Sequence, residues 1–217
     1  MDWHAWHTAY DDPGSRLARR LAAVRERIRV ALDTCPPGPV RAVSICAGQG
    51  VDLLGVLPDH PRRGDVTARL VELDPRNAEA ARETAAAADL KGVEVVTGDA
   101  SLPGRYTGAT PAELVLACGV FGNITEADIA RTLDHCTHLV APGGTLIWTR
   151  GRDEPDVFPT VCRWLGERGF EELWLSPPEA DFGVGAHRFA GQPVPLEDPE
   201  APMFTFVGYD LLRRRAG

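Results

Sequence analysis

From residue 41 onward, short apolar runs alternate with stretches of helical periodicity, and this alternation leaves the 217-residue chain few architectures. Apolar runs at 41–46, 68–72, 93–96, 114–118, 144–149, 171–175 and 204–209 have the length and composition of strands. Helical patterns fall between them at 75–88, 126–140 and 157–167, the first opened by Pro75. A glycine turn at 48–57 opens a further short helix, which Pro58 stops. Ahead of the first strand, Leu17, Leu21, Val24, Ile28 and Leu32 recur at helical spacing. They predict an amphipathic helix over 15–33, begun by Asp11-Asp12-Pro13-Gly14-Ser15 and ended by Cys35-Pro36-Pro37-Gly38-Pro39. Strands that alternate with helices build a mainly parallel sheet covered on both faces. The expected fold is therefore α/β: a seven-stranded, mostly parallel, doubly wound sheet with an N-terminal helical and aromatic extension. Residues 1–36 form that extension, and residues 37–217 form the α/β domain. Two stretches stand outside the alternation. Residues 1–10 are rich in Trp and His, and 177–202 read as a long irregular loop of the kind that covers binding sites.

Composition excludes several classes. Only five Cys occur, none in a CxxC pair, and Cys46 and Cys118 lie within apolar runs. They read as buried thiols of a reducing compartment, and no His/Cys spacing suggests a metal site. The net charge is -8, and the basic clusters Arg19-Arg20, Arg62-Arg63 and Arg213-Arg214-Arg215 are short. A nucleic-acid binder needs a basic face that this chain lacks. No secretory leader is visible at Met1-Asp2-Trp3-His4, and no apolar run has the ~20 residues of a membrane helix. A cytoplasmic location is expected, with a small molecule rather than nucleic acid or membrane as partner.

The chemistry concentrates at Val43-Ser44-Ile45-Cys46-Ala47-Gly48-Gln49-Gly50-Val51-Asp52. An apolar strand runs into two glycines, which allow a tight turn and close approach of backbone to ligand. About twenty residues later, Glu72 ends the next strand, where a carboxylate can accept both hydroxyls of a ribose. A dinucleotide and an adenosine-containing sulfonium both satisfy this pair of features. The dinucleotide fingerprint wants a third glycine for helix–sheet packing, and Leu53 holds that position.

Residues 41–151 resemble class I S-adenosylmethionine-dependent methyltransferases, which have a Rossmann-like fold, through motifs in order. Val43 to Gly50 is similar to the family's first motif, and Val71-Glu72-Leu73-Asp74-Pro75 to the second. Val95-Val96-Thr97-Gly98-Asp99-Ala100 resembles the segment whose Asp faces the adenine amino group. Residues 113–120 resemble the fourth strand and its active-site loop, and Leu139 to Leu146 the turn into the fifth strand. Ser44 stands where the first motif usually has an acid, and Cys46 where it usually has glycine. The Asn/Asp-Pro-Pro-aromatic signature of many enzymes that methylate exocyclic amines is replaced by Cys118-Gly119-Val120-Phe121-Gly122-Asn123.

The resemblance implies S-adenosylmethionine as cofactor, held by Ala47, Gly48, Gly50, Glu72, Leu73, Asp99, Ala100, Cys118 and Gly119. It implies transfer to an O or N nucleophile of a small-molecule acceptor, such as a specialised metabolite. Trp3, Trp6, Tyr10, Phe121 and Asn123 are the expected acceptor contacts. His4, His7 and His187 are the bases available if the acceptor arrives protonated. Each has a plainer alternative: residues 1–10 stapling the first helix to the core, a turn cap at Asp99, a turn residue at Asn123, a surface His187. At the level of function the alternatives are a non-catalytic S-adenosylmethionine-binding protein, an enzyme acting on RNA or protein, and a nicotinamide-dependent oxidoreductase.

Overall fold

The structure, a computed structural model, describes residues 12, 14–196, 198–208 and 212. Its sheet has seven strands: β1 (Val40–Ile45), β2 (Val66–Glu72), β3 (Val93–Thr97), β4 (Ala112–Ala117), β5 (Val140–Gly151), β6 (Phe170–Leu175) and β7 (Phe182–Phe189). They stand in the order β3-β2-β1-β4-β5-β7-β6. The pairings among β1 to β5 are parallel. β7 inserts antiparallel between β5 and β6.

Among the described residues four helices cover the sheet: α1 (Arg16–Thr34), α2 (Pro75–Ala87), α3 (Glu126–Leu139) and α4 (Phe158–Glu167). Ser15 caps α1 by accepting from the Ala18 N–H, Asp74 caps α2 through Arg76, and Thr125 caps α3 through Asp128. Strand residues alternate between two cores, as the pleat requires. Leu114 and Leu116 join α1, α2 and the post-β1 turns in one core. Val115 and Ala117 join α3 and α4 in the other. This is the doubly wound arrangement expected. The chain steps outward from β1 to β3 and then crosses to β4. The crevice beyond the carboxyl ends of β1 and β4 is therefore a topological switch point, where open α/β sheets bind ligands.

Two local expectations are corrected. After β1 the chain makes consecutive turns and a 3-10 turn at Leu57–Asp59, not a regular helix. The Asp52 side chain takes the Leu53 N–H at 2.7 Å, and Arg25 forks onto the Val51 carbonyl at 2.9 and 2.6 Å, fixing an irregular path. The seventh strand is Phe182–Phe189, inside the stretch read as loop, whereas residues 204–208 form no strand and Tyr209 lies outside the described residues. Gly183 and Gly185 made β7 look like a loop, since glycine weakens an isolated strand. Packing demands them: a Cβ at Gly185 would lie 2.5 Å from the Trp148 ring, and one at Gly183 would overlap Phe158. Residues 203–208 instead lie extended across the loops at the carboxyl end of the sheet. The Met203 N–H donates to the Ser101 carbonyl at 2.8 Å, and Val207 and Gly208 both donate to the Asn123 carbonyl, at 2.8 and 3.0 Å.

Candidate functional site

A cavity of about 820 Å³ opens at the switch point, within the roughly 300–1,000 Å³ usual for ligand pockets. One side is built by β1, β2, the loop after β3, and the loop after β4. Cys46 leaves β1 with φ +52°, a left-handed conformation that the resembled family meets with glycine. The Ala47 N–H then donates to the Val71 carbonyl at 3.0 Å. The Gly48 N–H donates to Glu72 Oε2 at 2.8 Å, and the Asp74 N–H donates to Glu72 Oε1 at 2.8 Å. Both carboxylate oxygens of this buried side chain are thus fixed by backbone. A carboxylate has about four acceptor sites, so each oxygen can still take a ligand hydroxyl. Beside it Leu73, 67% exposed, lies on the cavity wall, an apolar platform next to a carboxylate.

Asp99 also lines the cavity, and its Oδ1 takes the Ser101 N–H at 2.9 Å, so it is a turn cap and a wall residue at once. Ala100, Cys118 and Gly119 complete this side. Gly119 (φ +80°) donates its N–H to Thr149 Oγ1 at 2.8 Å, and Asn123 Nδ2 donates to the Gly119 carbonyl at 2.7 Å. Burial pushes the Cys46 and Cys118 thiols far above the ordinary thiol range, which removes both as nucleophiles at neutral pH. Burial also raises the Asp52 carboxyl, against Leu53, Arg25 and Arg20, which favour its charged form.

The other side of the cavity is walled by Arg16, Leu17, Leu21 and Val24 of α1, by Arg150 and Gly151 of β5, and by three phenylalanines, Phe182, Phe204 and Phe206. Sequence reasoning missed these residues. The i, i+4 pair Arg16 and Arg20, in register with the Leu17 and Leu21 stripe, was a usable signal for α1. Nothing local marks Arg150 or the phenylalanines.

Three expected site residues lie elsewhere. Gly50 does not line the cavity: its φ is +68°, and a Cβ there would sit 2.8 Å from both Leu54 and Leu70, so it serves packing beneath the turn. Phe121 is fully buried against Trp148, ring centroids 5.9 Å apart. His187, neither a surface nor a cavity residue, is 2% exposed on β7 and accepts the Trp148 indole N–H at 3.2 Å. Burial lowers its pKa to about 4, so it is a neutral core residue at physiological pH. Trp3, His4, Trp6, His7 and Tyr10 lie outside the described residues.

The fold and this site together define an α/β protein with a cavity at its switch point and, among the described residues, no phosphate cradle. The segment between β1 and β2 forms no regular helix, and the Gly48 and Leu53 N–H groups are already taken by Glu72 and Asp52. A methyltransferase-domain family matches residues 43–146, the span that carries the ordered motifs and the donor side of the cavity. By this match residues 43–146 are a methyltransferase domain, and S-adenosylmethionine is the cofactor of that class.

No curated protein matches the chain. Among solved structures it is similar to the CurJ carbon methyltransferase (TM-score 0.62, 19% identity, covering 79% of this chain and 54% of that one). It is also similar to an O-methyltransferase family protein from Burkholderia thailandensis (TM-score 0.58, 19% identity, 81% and 60% covered). A third likeness is to magnesium protoporphyrin IX methyltransferase from Synechocystis PCC 6803 with bound S-adenosylmethionine (TM-score 0.63, 12% identity, 87% and 91% covered). The chain spans 54% and 60% of the length of the first two. These likenesses show the fold.

The residues present fit the cofactor. Glu72 would offer acceptors to a ribose, Leu73 and Ala100 an apolar slot to an adenine, and Asp99 an acceptor to its amino group. Asp52, near Arg20 and Arg25, stands toward the end left without an acid by Ser44.

Proposed function

We propose that the chain transfers a methyl group to an O or N nucleophile of a small-molecule acceptor, a specialised metabolite, in the cytoplasm. The observation that carries this reading is one continuous cavity with two differently built halves. The β1–β3 side has the fixed carboxylate and apolar slot suited to a donor, and the β5–β7 side has room and apolar walls for a second molecule. When bound, S-adenosylmethionine supplies a methyl already activated on a positive sulfur, which an acceptor lone pair takes as the carbon–sulfur bond breaks. The protein's work is then to align the two molecules and exclude water. Gly119, held by Thr149 and Asn123, keeps a side-chain-free backbone at the junction of the halves. Net charge -8 and the absence of a basic face support a small acceptor over RNA. No described helix is long and apolar enough to cross a membrane.

Isothermal titration tests the donor half. Heat of binding is expected with S-adenosylhomocysteine and none with NAD. No heat with S-adenosylmethionine or S-adenosylhomocysteine up to millimolar concentration rejects the reading.

Residues 1–10 complete the acceptor side in this proposal. Two of the five Trp and two of the six His fall there, and tryptophans left in water would forgo about 25 cal/mol per Å² of buried apolar area. The cavity wall formed by Arg16 and Leu17 at the start of α1 lies within short chain reach of them. With His187 in the core, His4 and His7 are the remaining histidines proposed as bases. Deleting residues 1–10 should leave a folded protein whose methyl transfer, assayed on a metabolite panel, falls about tenfold or more, as removal of a positioned base or wall does. Full turnover in the truncated protein would show that the segment has no part in the site. Loss of folding would make it an anchor.

A further inference from the structure

Four acids and four arginines line the cavity, and they are unevenly placed. Its four acids, Asp52, Glu72, Asp74 and Asp99, stand on the β1–β3 side, where Asp74 pairs with Arg76 at 2.7 Å and Asp52 faces Arg20 and Arg25. On the β5 side the charged lining residues are Arg16 and Arg150, both cations, in a chain whose net charge is -8.

The Arg16 guanidinium occupies space that a glycine clears: a Cβ at Gly151 would lie 2.9 Å from Arg16 Nη2. Arg150 Nη1 lies beside Gly122, 3.9 Å from where a Cβ would stand. Arg16 is oriented by a two-point contact with Asp153, which lies outside the cavity lining, at 3.4 and 3.1 Å. A guanidinium has five N–H donors, and Asp153 takes two of those on Arg16. Arg150 stands near the end of β5, two residues beyond the buried Trp148. Around the two cations the wall is aromatic: Phe182 from β7, and Phe204 and Phe206 from the segment strapped down through Asn123 and Ser101.

A planar fork on a rigid strand is the donor geometry that matches a carboxylate, and phenylalanine faces match a flat apolar body. We infer that the acceptor is an aromatic or otherwise flat molecule bearing a carboxylate, which Arg150 and Arg16 receive over β5 while its body lies against Phe182, Phe204 and Phe206. This rests on the donor reading above, because it takes the β5 side as the half the donor leaves open. Fixing the anionic end at β5 turns the opposite end of the acceptor toward Gly119, where the halves of the cavity meet. An aromatic acid would thus present a ring hydroxyl or amine to the methyl group and keep its carboxylate away from it.

The test uses the full chain saturated with S-adenosylhomocysteine and titrated calorimetrically with matched probes: benzoate against benzamide, salicylate against salicylamide, cinnamate against cinnamamide. Each pair keeps its shape and changes its charge. In at least one pair the carboxylate is expected to bind about tenfold more tightly than the amide. That preference should collapse in Arg150→Gln, shrink in Arg16→Gln, and persist in Arg19→Gln, whose arginine pairs with Asp181 outside the cavity. The wild-type comparison does not depend on any variant folding. Equal affinity within every pair, no binding of any carboxylate, or a preference that survives Arg150→Gln overturns the inference. If S-adenosylhomocysteine itself fails to bind, the donor reading falls and this one with it. If it binds and the carboxylates show no advantage, this inference alone falls.

Discussion

Replacing Glu72 by alanine should weaken S-adenosylhomocysteine binding by about tenfold or more, while leaving the protein folded. Hydrogen bonds to a charged group contribute about 1.5–3 kcal/mol each, and a ribose offers two hydroxyls, so the expected loss exceeds the 1.4 kcal/mol of one decade. The structure adds a second route to the same loss. Glu72 Oε2 holds the Gly48 N–H and Oε1 the Asp74 N–H, so the carboxylate also positions the turn after β1 and the start of α2. Both groups lie at the cavity, where water can replace the lost acceptor, which limits the effect on folding. Glu72→Gln should fall between wild type and alanine, because an amide retains one acceptor oxygen. Asp99→Ala should lose less, since a single adenine amino group is at stake and Asp99 is also occupied with Ser101. Calorimetry on variants with unchanged circular dichroism decides the matter. An undiminished affinity in Glu72→Ala would reduce Glu72 to a strand-end brace.

The largest effect on stability is expected from Trp148→Ala, a loss of about 3–5 kcal/mol. Trp148 is fully buried at the middle of the β5–β7 pairing, directly opposite Gly185. Its ring lies 4.6 Å from Phe158 and 5.9 Å from Phe121, centroid to centroid. Its indole N–H donates to His187 Nδ1 at 3.2 Å. Truncation removes a large apolar surface, opens a cavity between the sheet and α4, and leaves a buried imidazole nitrogen without its donor. The glycines opposite cannot collapse into the space. Trp148→Phe should lose less, because most of the ring volume stays. Equilibrium unfolding in urea gives the number, and a midpoint near that of wild type would mean that β7 is not held by this packing.

These two residues also mark what the sequence could and could not disclose. Glu72 was legible because its role depends on local order: an apolar run ends, a glycine turn precedes it by about twenty residues, and a proline opens the next helix. The parallel half of the sheet was readable for the same reason, and so were the wall residues Ala47, Gly48, Leu73, Ala100 and Cys118. β7 was not. A run such as Phe182-Gly183-Val184-Gly185 has poor strand propensity, and only a tryptophan more than thirty positions earlier makes its glycines necessary. The apolar alternation at 204–209 suggested a strand by the same local logic, but the N–H groups of Thr205, Val207 and Gly208 go to Asp128 and Asn123, partners no periodicity reveals. Gly50 was misassigned because its neighbours Leu54 and Leu70 fill the space that a ligand was expected to occupy. His187 was misplaced because burial and the Trp148 contact, both tertiary, decide what a histidine does.

The strap at 203–208 has an evolutionary consequence. It is tied down by its own backbone N–H groups, which carry no side-chain identity, at Met203, Val207 and Gly208. Of the side chains it offers to the cavity, Phe204 is packed into the core, whereas Phe206 is 40% exposed and can change with the backbone ties kept. The β1–β3 side has no such latitude, because Glu72 and Gly48 secure each other. Inheritance can thus redraft part of one wall of the chamber while the opposite wall stays as it was, and, if that wall receives the acceptor as proposed, a change at Phe206 alters which acceptors fit.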